Sequence, residues 1–229
     1  MNQDEQKQAA GELAASWVES GMVVGLGTGS TAVHAIRAIG ARIAAGQLAE
    51  VVGIPTSVAS DAEARAAGIP ITTLAEHPDI DLTIDGADEV DDDFNLIKGG
   101  GGALWREKMV AQASAREVIV VDESKLTAQL GGRVALPVEV AIFGWKPEAD
   151  YLDDMGAGVA VRRAGGGQEY VTDEGNWILD CAFPPIADPA RLAGLLSRRA
   201  GIVEHGLFLG LATDLIVASA DGVEHRTLS

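Results

Sequence analysis

The sequence predicts an α/β fold: a mostly parallel sheet with helices on both faces, plus a small α+β subdomain. Three observations predict it. Short apolar runs alternate with stretches of helical period over roughly the first 120 residues, the pattern of strands covered by crossover helices. Near Gly131 that alternation gives way to β-rich segments with turn signals between them. The tail "GLFLGLATDLIVASADGV" is again apolar and β-rich, so it is expected to rejoin the main sheet. The expected division is a catalytic domain over residues 1–130, joined by 206–229, and a small subdomain over 131–205.

Each element has its own warrant. Ala10, Leu13, Ala14, Trp17 and Val18 recur at helical spacing, and Gly21 stops that helix. "MVVGL" reads as a buried strand. "STAVHAIRAIGARIAAG" reads as a helix with Ser30 or Thr31 near its start. "VVGIP" is the second strand, "SVASDAEARAAG" a helix, "IPITTL" the third strand, and "IDLTI" the fourth, ending at Asp85. "GALWREKMVAQASA" is helical and "EVIVVD" is the fifth strand. Beyond Gly131, "VALPVEV", "GVAVRRA", "QEYVTD" and "NWILDCAF" read as strands, the last two joined by an Asp-Glu-Gly turn. "KPEADYLDDMG" and "ADPARLAGLLSRRAG" read as helices.

Composition excludes several function classes. The chain has 229 residues and a formal net charge of −17. Such a surface disfavours nucleic acid and anionic membranes, which call for basic faces. A local site can still oppose the global field and hold a small anion. The N-terminal "MNQDEQKQAA" has no signal-peptide apolar core, and no apolar run approaches the roughly 20 residues of a membrane span. One cysteine, Cys181, gives no disulfide framework and fits a reducing cytoplasm. The four histidines show no metal-ligand spacing. No metal and no cofactor is expected.

Four motifs carry chemistry. "GLGTGSTA" lies between a strand and a helix, where glycines allow a sharp turn and the helix N-terminus offers N–H groups to an anion. Thr28, Ser30 and Thr31 add hydroxyls. The third glycine of a dinucleotide fingerprint is absent, as are its strand-end acid and the Gly-Lys-Ser/Thr of a P-loop. "DGADEVDDD" puts Asp85 at the C-terminal end of a strand, where open α/β sheets place their sites, with Asp88 three residues on. Glu89 and Asp91, Asp92 and Asp93 read as solvated acids. "KGGGGA" supplies Lys98 and a run of glycines before a helix, which suits close backbone approach to a ligand. One turn into that helix, Glu107 shares a face with Ala103, Val110 and Ala111. A carboxylate on an apolar face suits a general base. Arg106 and Lys108 are expected to point elsewhere. "VVDESK" puts Lys125 after another strand; taken alone, it reads as a surface lysine.

Taken together, "GLGTGSTA", "VGIPTS", "DGADEVD", "IKGGGGALWREK" and "VVDESK", followed by "LPVEV", "VTDEGNWILD" and "EHGLF", resemble the A-type ribose-5-phosphate isomerase family over nearly the whole chain. The resemblance implies a Rossmann-like domain with a small α/β subdomain, assembled as homodimers or homotetramers. It implies metal-free interconversion of ribose 5-phosphate and ribulose 5-phosphate, in the non-oxidative branch of the pentose phosphate pathway. By the same resemblance, substrate binding falls to Thr28, Gly29, Ser30, Thr31, Asp85, Gly86, Ala87, Asp88, Lys98, Gly99, Gly100, Gly101 and Lys125. Glu107 matches the proton-abstracting glutamate. In the mechanism these positions suggest, Lys98 stabilises the enediolate, while Asp85, with Asp88 beside it, assists ring opening and moves protons between oxygens. Whether Lys125 or the threonine-serine loop holds the phosphate stays open. Gly102 stands where many relatives have alanine, a departure expected to loosen the helix start, and Trp105 is bulkier than the family residue. Two rivals are a sugar-phosphate sensor or transferase on the same fold, and a nucleotide-binding module. Glu107 on an inward face speaks against the first, and the missing fingerprint against the second.

Overall fold

Run along the chain, the computed structural model describes residues 1–228. Its elements are α1 (Gln3–Ser16), β1 (Val23–Leu26), α2 (Ala32–Ala44), β2 (Val52–Pro55), α3 (Val58–Ala66) and β3 (Leu82–Asp85). There follow β4 (Glu89–Val90), β5 (Leu96–Ile97), α4 (Leu104–Gln112), β6 (Glu117–Asp122), β7 (Leu136–Val140), α5 (Trp145–Asp154), β8 (Gly158–Val161) and β9 (Trp177–Ala182). The chain closes with α6 (Pro189–Leu196), β10 (Ile202–His205), β11 (Leu207–Phe208), β12 (Asp214–Ser219) and β13 (Gly222–Thr227).

The chain forms two compact units. Among the described residues the first comprises Met1–Ala87, Arg106–Leu126 and 210–228. Its sheet has the order β13-β12-β6-β3-β1-β2, all neighbours parallel except the β12–β13 hairpin. Side chains alternate across this sheet, as the pleat requires. Val24 and Leu26 join a core with Ala10 and Ala14 of α1, Ile36 and Ile39 of α2, and Ala64 of α3. On the opposite face, Val23 and Ile54 pack with Val110 of α4. Helices thus cover both faces, and the C-terminal tail rejoins the sheet beside β6. From β1 the chain reaches β2 on one side, while β3 pairs on the other. That reversal leaves the loops after β1 and β3 diverging at the carboxyl edge of the sheet, where such folds form their ligand crevice.

The second unit comprises Asp88–Trp105 and Thr127–Leu209. A four-stranded antiparallel sheet of order β10-β7-β9-β8 carries α5 and α6, and a small sheet β11-β5-β4 lies in the same unit. Leu136, Val138, Leu179 and Cys181 form its core with Leu152 of α5 and Leu196 of α6. Burial pushes the Cys181 thiol well above its ordinary range, so it is an inert core residue.

Two expected strands are absent. Residues 69–74 make one isolated bridge, Gly53 to Ile71, because Pro70 has no N–H to extend a ladder. Residues 168–173 make only the bridges Arg163–Glu169 and Val171–Trp177. Here the chain is spent in turning, at Gly167 and again at Gly175, both with positive φ.

Glu89 is a correction of a different kind. It is fully buried in β4 rather than solvated. Its carboxylate accepts the backbone N–H groups of Gly131, Arg133 and Val134 at 2.6, 2.6 and 3.0 Å. Only Asp92 and Asp93 of the acid run are exposed; Asp91 caps the β4–β5 turn through the N–H groups of Asp93 and Asn95. Among the described residues no helix is long and apolar enough to cross a membrane.

Candidate active site

In the first unit, the loop Gly27–Thr31 follows β1 and leads into α2. Gly27 is glycine for a steric reason: a Cβ there would lie 2.3 Å from the Asp85 carboxylate. That close approach lets Asp85 Oδ1 accept the Thr28 N–H at 3.0 Å and the Gly86 N–H at 2.7 Å. Asp85 is wholly buried at the end of β3. The structure therefore brings together the hydroxyl loop and the first aspartate of "DGAD", at the point where the strand order reverses.

Thr28 is tied on its other side as well. Its hydroxyl lies 2.8 Å from both the Thr56 and Ser57 hydroxyls, which follow β2. Thr56 in turn donates to the Leu26 carbonyl at 3.1 Å, and Ser57 caps α3 through the Ser60 N–H. Thr56 and Ser57 end the motif "VGIPTS", and their place at a strand's C-terminal end is the local mark of this contact. Gly29 and Ser30 are exposed, and Thr31 stands at the N-cap position of α2 without turning its hydroxyl to the helix. Beside them a cleft of about 300 Å³ is lined by Gly27, Thr28, Gly29, Val33, Ile36 and Ser60, among others.

Glu107 belongs to the same unit and is 5% exposed. Val110 and Ala111 of the same helix are also buried, as the expected inward face requires. Lys108 is buried too, against expectation; it precedes Ala111 by three residues and so shares that stripe. Lys125 is half-buried on the short 3-10 turn Glu123–Lys125 that follows β6. Its neighbour Asp122 feels burial, which alone would raise its carboxyl. Bonds from the Ser124 hydroxyl and N–H and the Gln3 amide, with the Lys125 charge, bring it below the usual carboxylate range instead.

The second unit holds Asp88 and the glycine loop. Asp88 Oδ2 accepts the Gly100 N–H at 2.7 Å. Lys98 is 2% exposed; its backbone N–H donates to the Gly206 carbonyl at 2.9 Å, and its ammonium lies 5.4 Å from the Phe208 ring centroid. Gly102 closes a turn by donating to the Gly99 carbonyl at 3.0 Å. Its φ of +81° is glycine's territory, and an added Cβ would stand 2.3 Å from the Tyr170 hydroxyl. The helix start at this departure from the family pattern is thus held by a hydrogen-bonded turn under a packed aromatic ring. Gly100 and Gly101 are exposed. Among the described residues, no group of three or more His, Cys, Asp or Glu side chains is placed to hold a metal ion.

A profile of the family "Ribose 5-phosphate isomerase A (phosphoriboisomerase A)" matches residues 52–222. The chain belongs to this family. It is 56% identical to ribose-5-phosphate isomerase A of Chloroflexus aurantiacus, over 97% of this chain and 93% of that one. Its fold superposes on that of a D-ribose-5-phosphate isomerase solved in complex with phospho-erythronic acid, with a TM-score of 0.97, 36% identity and full coverage of both chains. The Plasmodium falciparum ribose 5-phosphate isomerase gives 0.95 at 38% identity, covering 99% of each chain. Family membership thus extends to the mostly parallel sheet and the small antiparallel sheet alike.

Proposed function

We infer that the chain interconverts D-ribose 5-phosphate and D-ribulose 5-phosphate, by moving a proton between C2 and C1 of the open-chain sugar through an enediolate. The observation that carries this reading is full-length membership in the family, with a solved relative that binds phospho-erythronic acid. That ligand carries a carboxylate and a phosphate on a four-carbon chain, so a site that takes it accepts negative charge away from the phosphate.

Glu107 is the base in this reading. It takes the C2 proton from the aldose and returns it to C1, so one carboxylate serves both steps. Its 5% exposure on the inward face of α4 supports the role, because a positioned base must be kept from exchanging its proton with bulk water. Lys98, with backbone N–H groups of the glycine loop, offsets the oxyanion as it develops; such donors are each worth about 2.7–4 kcal/mol. Asp85, locked by the Thr28 and Gly86 N–H groups, moves protons between the sugar oxygens and assists ring opening, and Asp88 acts with it. Thr28–Thr31 and Lys125 hold the anionic and polar groups of the sugar phosphate, supported by their place on loops after parallel strands of one sheet. Neither metal nor cofactor has a step.

A coupled assay with ribose 5-phosphate tests the reading; no turnover would refute it. Glu107→Gln keeps the shape and removes the basicity. Turnover should fall at least about a hundredfold with substrate binding largely kept, and near-normal turnover would remove Glu107 from the mechanism.

The reading also covers assembly and location: at least a homodimer, working in the cytoplasm. Phe143 is fully exposed and Ile142 is 41% exposed, which supports a contact surface on the second unit. Light scattering should give a multiple of the 23.7 kDa chain mass, and the single-chain mass at micromolar concentration would refute assembly.

A further inference from the structure

The glycine loop has its N–H groups aimed by something, because four consecutive glycines have no conformational preference of their own. Arg162, one residue beyond β8, supplies the constraint. Its Nη1 donates to the Gly99 carbonyl at 2.7 Å and to the Gly100 carbonyl at 3.2 Å. Its Nε and Nη2 are clamped by the two oxygens of Asp180 on β9, at 3.0 and 2.5 Å. The guanidinium side chain is 14% exposed. One planar group therefore bridges a sheet carboxylate to two successive loop carbonyls, a fork that lysine cannot reproduce. Tyr170 adds a third restraint, donating its hydroxyl to the Gly101 carbonyl at 3.3 Å.

The consequence follows from peptide geometry. The C=O and N–H of a trans peptide point to opposite sides. Holding the Gly99 carbonyl toward Arg162 sends the Gly100 N–H the other way, and that N–H is the one Asp88 accepts at 2.7 Å. Holding the Gly100 carbonyl does the same for the Gly101 N–H.

We propose that Arg162, braced by Asp180, is a positioning residue for the isomerisation: it fixes the direction of the Gly100 and Gly101 N–H groups and, through Gly100, the carboxylate of Asp88. It touches no reacting atom. The proposal rests on the isomerase reading above and deepens it.

The test uses full-length protein and two readouts. In Arg162→Ala, kcat for ribose 5-phosphate should fall by on the order of tenfold to a hundredfold, the scale of a small misplacement of catalytic groups, with KM little changed. Added guanidinium ion should restore part of the rate, and Arg162→Lys should restore less than the parent activity. Asp180→Asn, which keeps the shape of the clamp, should give a smaller loss in the same parameter. By NMR, hydrogen exchange at Gly100 should quicken in Arg162→Ala while the amides of β7 and β9 keep their protection. Unchanged kcat, absence of guanidinium rescue, or exchange that quickens evenly across β7, β9 and the loop would overturn the proposal. Parent protein without isomerase activity would sink the functional reading instead, and the Gly100 exchange would then decide whether Arg162 orders the loop.

Discussion

The two glycine-containing loops of this chain are built on different principles. Gly27–Thr31 presents hydroxyls, and its restraints are neighbours on the same sheet edge: Asp85 after β3, and Thr56 and Ser57 after β2. Lys98–Gly102 presents backbone N–H groups and a buried ammonium. Its carbonyls are held by Arg162 and Tyr170, from more than sixty residues further along the chain, and its Gly100 N–H by the nearer Asp88. The first loop is positioned by sheet topology, so its geometry comes with the fold. The second depends on particular side chains, so single substitutions can misalign it without disturbing the sheet. A loop of the first kind is suited to holding a group that does not change during the reaction. One of the second kind is suited to meeting charge that appears only in the transition state.

The sharpest way to break this contrast is to remove one group from each loop. Lys98→Met should cost about a hundredfold to a thousandfold in kcat, the usual loss for one oxyanion donor. Thr28→Val should raise KM with a smaller change in kcat, because its hydroxyl is already bonded to Thr56 and Ser57 before substrate arrives. Steady-state kinetics on both variants decides. A kcat loss in Thr28→Val equal to that in Lys98→Met would abolish the distinction between a holding loop and a rate-giving one.

A second comparison is steric. Gly29 and Gly102 both have positive φ, +116° and +81°. An added Cβ at Gly29 meets nothing within 4 Å, whereas at Gly102 it meets the Tyr170 ring. Gly29→Ala should therefore pay backbone strain alone, and Gly102→Ala should add an overpacking cost of roughly 1–3 kcal/mol. A double-mutant cycle with Tyr170→Ala measures the difference by thermal unfolding. Relief of Gly102→Ala by loss of the Tyr170 ring is expected, with no such coupling for Gly29→Ala; additivity at both glycines would contradict the close approach of Tyr170 to Gly102.

Much of the architecture was legible because it rests on local period. Helices α1 to α6 announce themselves by apolar spacing and strands such as Glu117–Asp122 by a continuous apolar run, and Asp85 is marked by its place at the end of another. The places that misled are those where a distant partner overrides local chemistry. Glu89 sits in a run of acids and reads as solvated, yet three N–H groups from residues 131–134 make its burial tolerable. Arg162 and Asp180 look like ordinary β-strand charges, and nothing near either residue in sequence points to Gly99. Lys108 reads as surface because lysine usually is, although helical spacing already places it near Ala111. Pro70 is a local sign of the same kind: without its N–H, residues 69–74 do not extend a ladder.

The smallest expected effect concerns where each unit places its best-bonded arginine–carboxylate pair. In the second unit, Arg162–Asp180 stands at the glycine loop. In the first, the corresponding pair lies at the opposite edge of the sheet from the hydroxyl loop, at the amino ends of β6 and β12. There Asp214 accepts both Nε and Nη2 of Arg116 at 2.7 Å, the Thr213 hydroxyl at 2.8 Å, and a 2.7 Å contact from His225 Nε2. Trp17 lies beside the guanidinium at 4.4 Å and meets the His225 ring edge-on at 4.7 Å. The Arg116 bonds, working against burial, hold the Asp214 carboxyl down to about 2, from an ordinary 3.8. A carboxyl depressed in the folded state stabilises the fold above its unfolded value, and that stabilisation is lost as pH falls through the folded one. The contribution should therefore be complete above 3.8 and disappear toward about 2. Its size is on the order of 1–2 kcal/mol, from about 1.4 kcal/mol per unit reduced for the half-exposed Arg116 partner. Asp214→Asn removes the titration while keeping much of the shape. Its unfolding free energy, measured by urea titration, should lie below the parent's near neutrality and fall less steeply over this acid window. Parallel profiles for the two proteins would show that the first unit gains no acid-sensitive stability from this pair, and that Asp214 serves only to align β12 with β13.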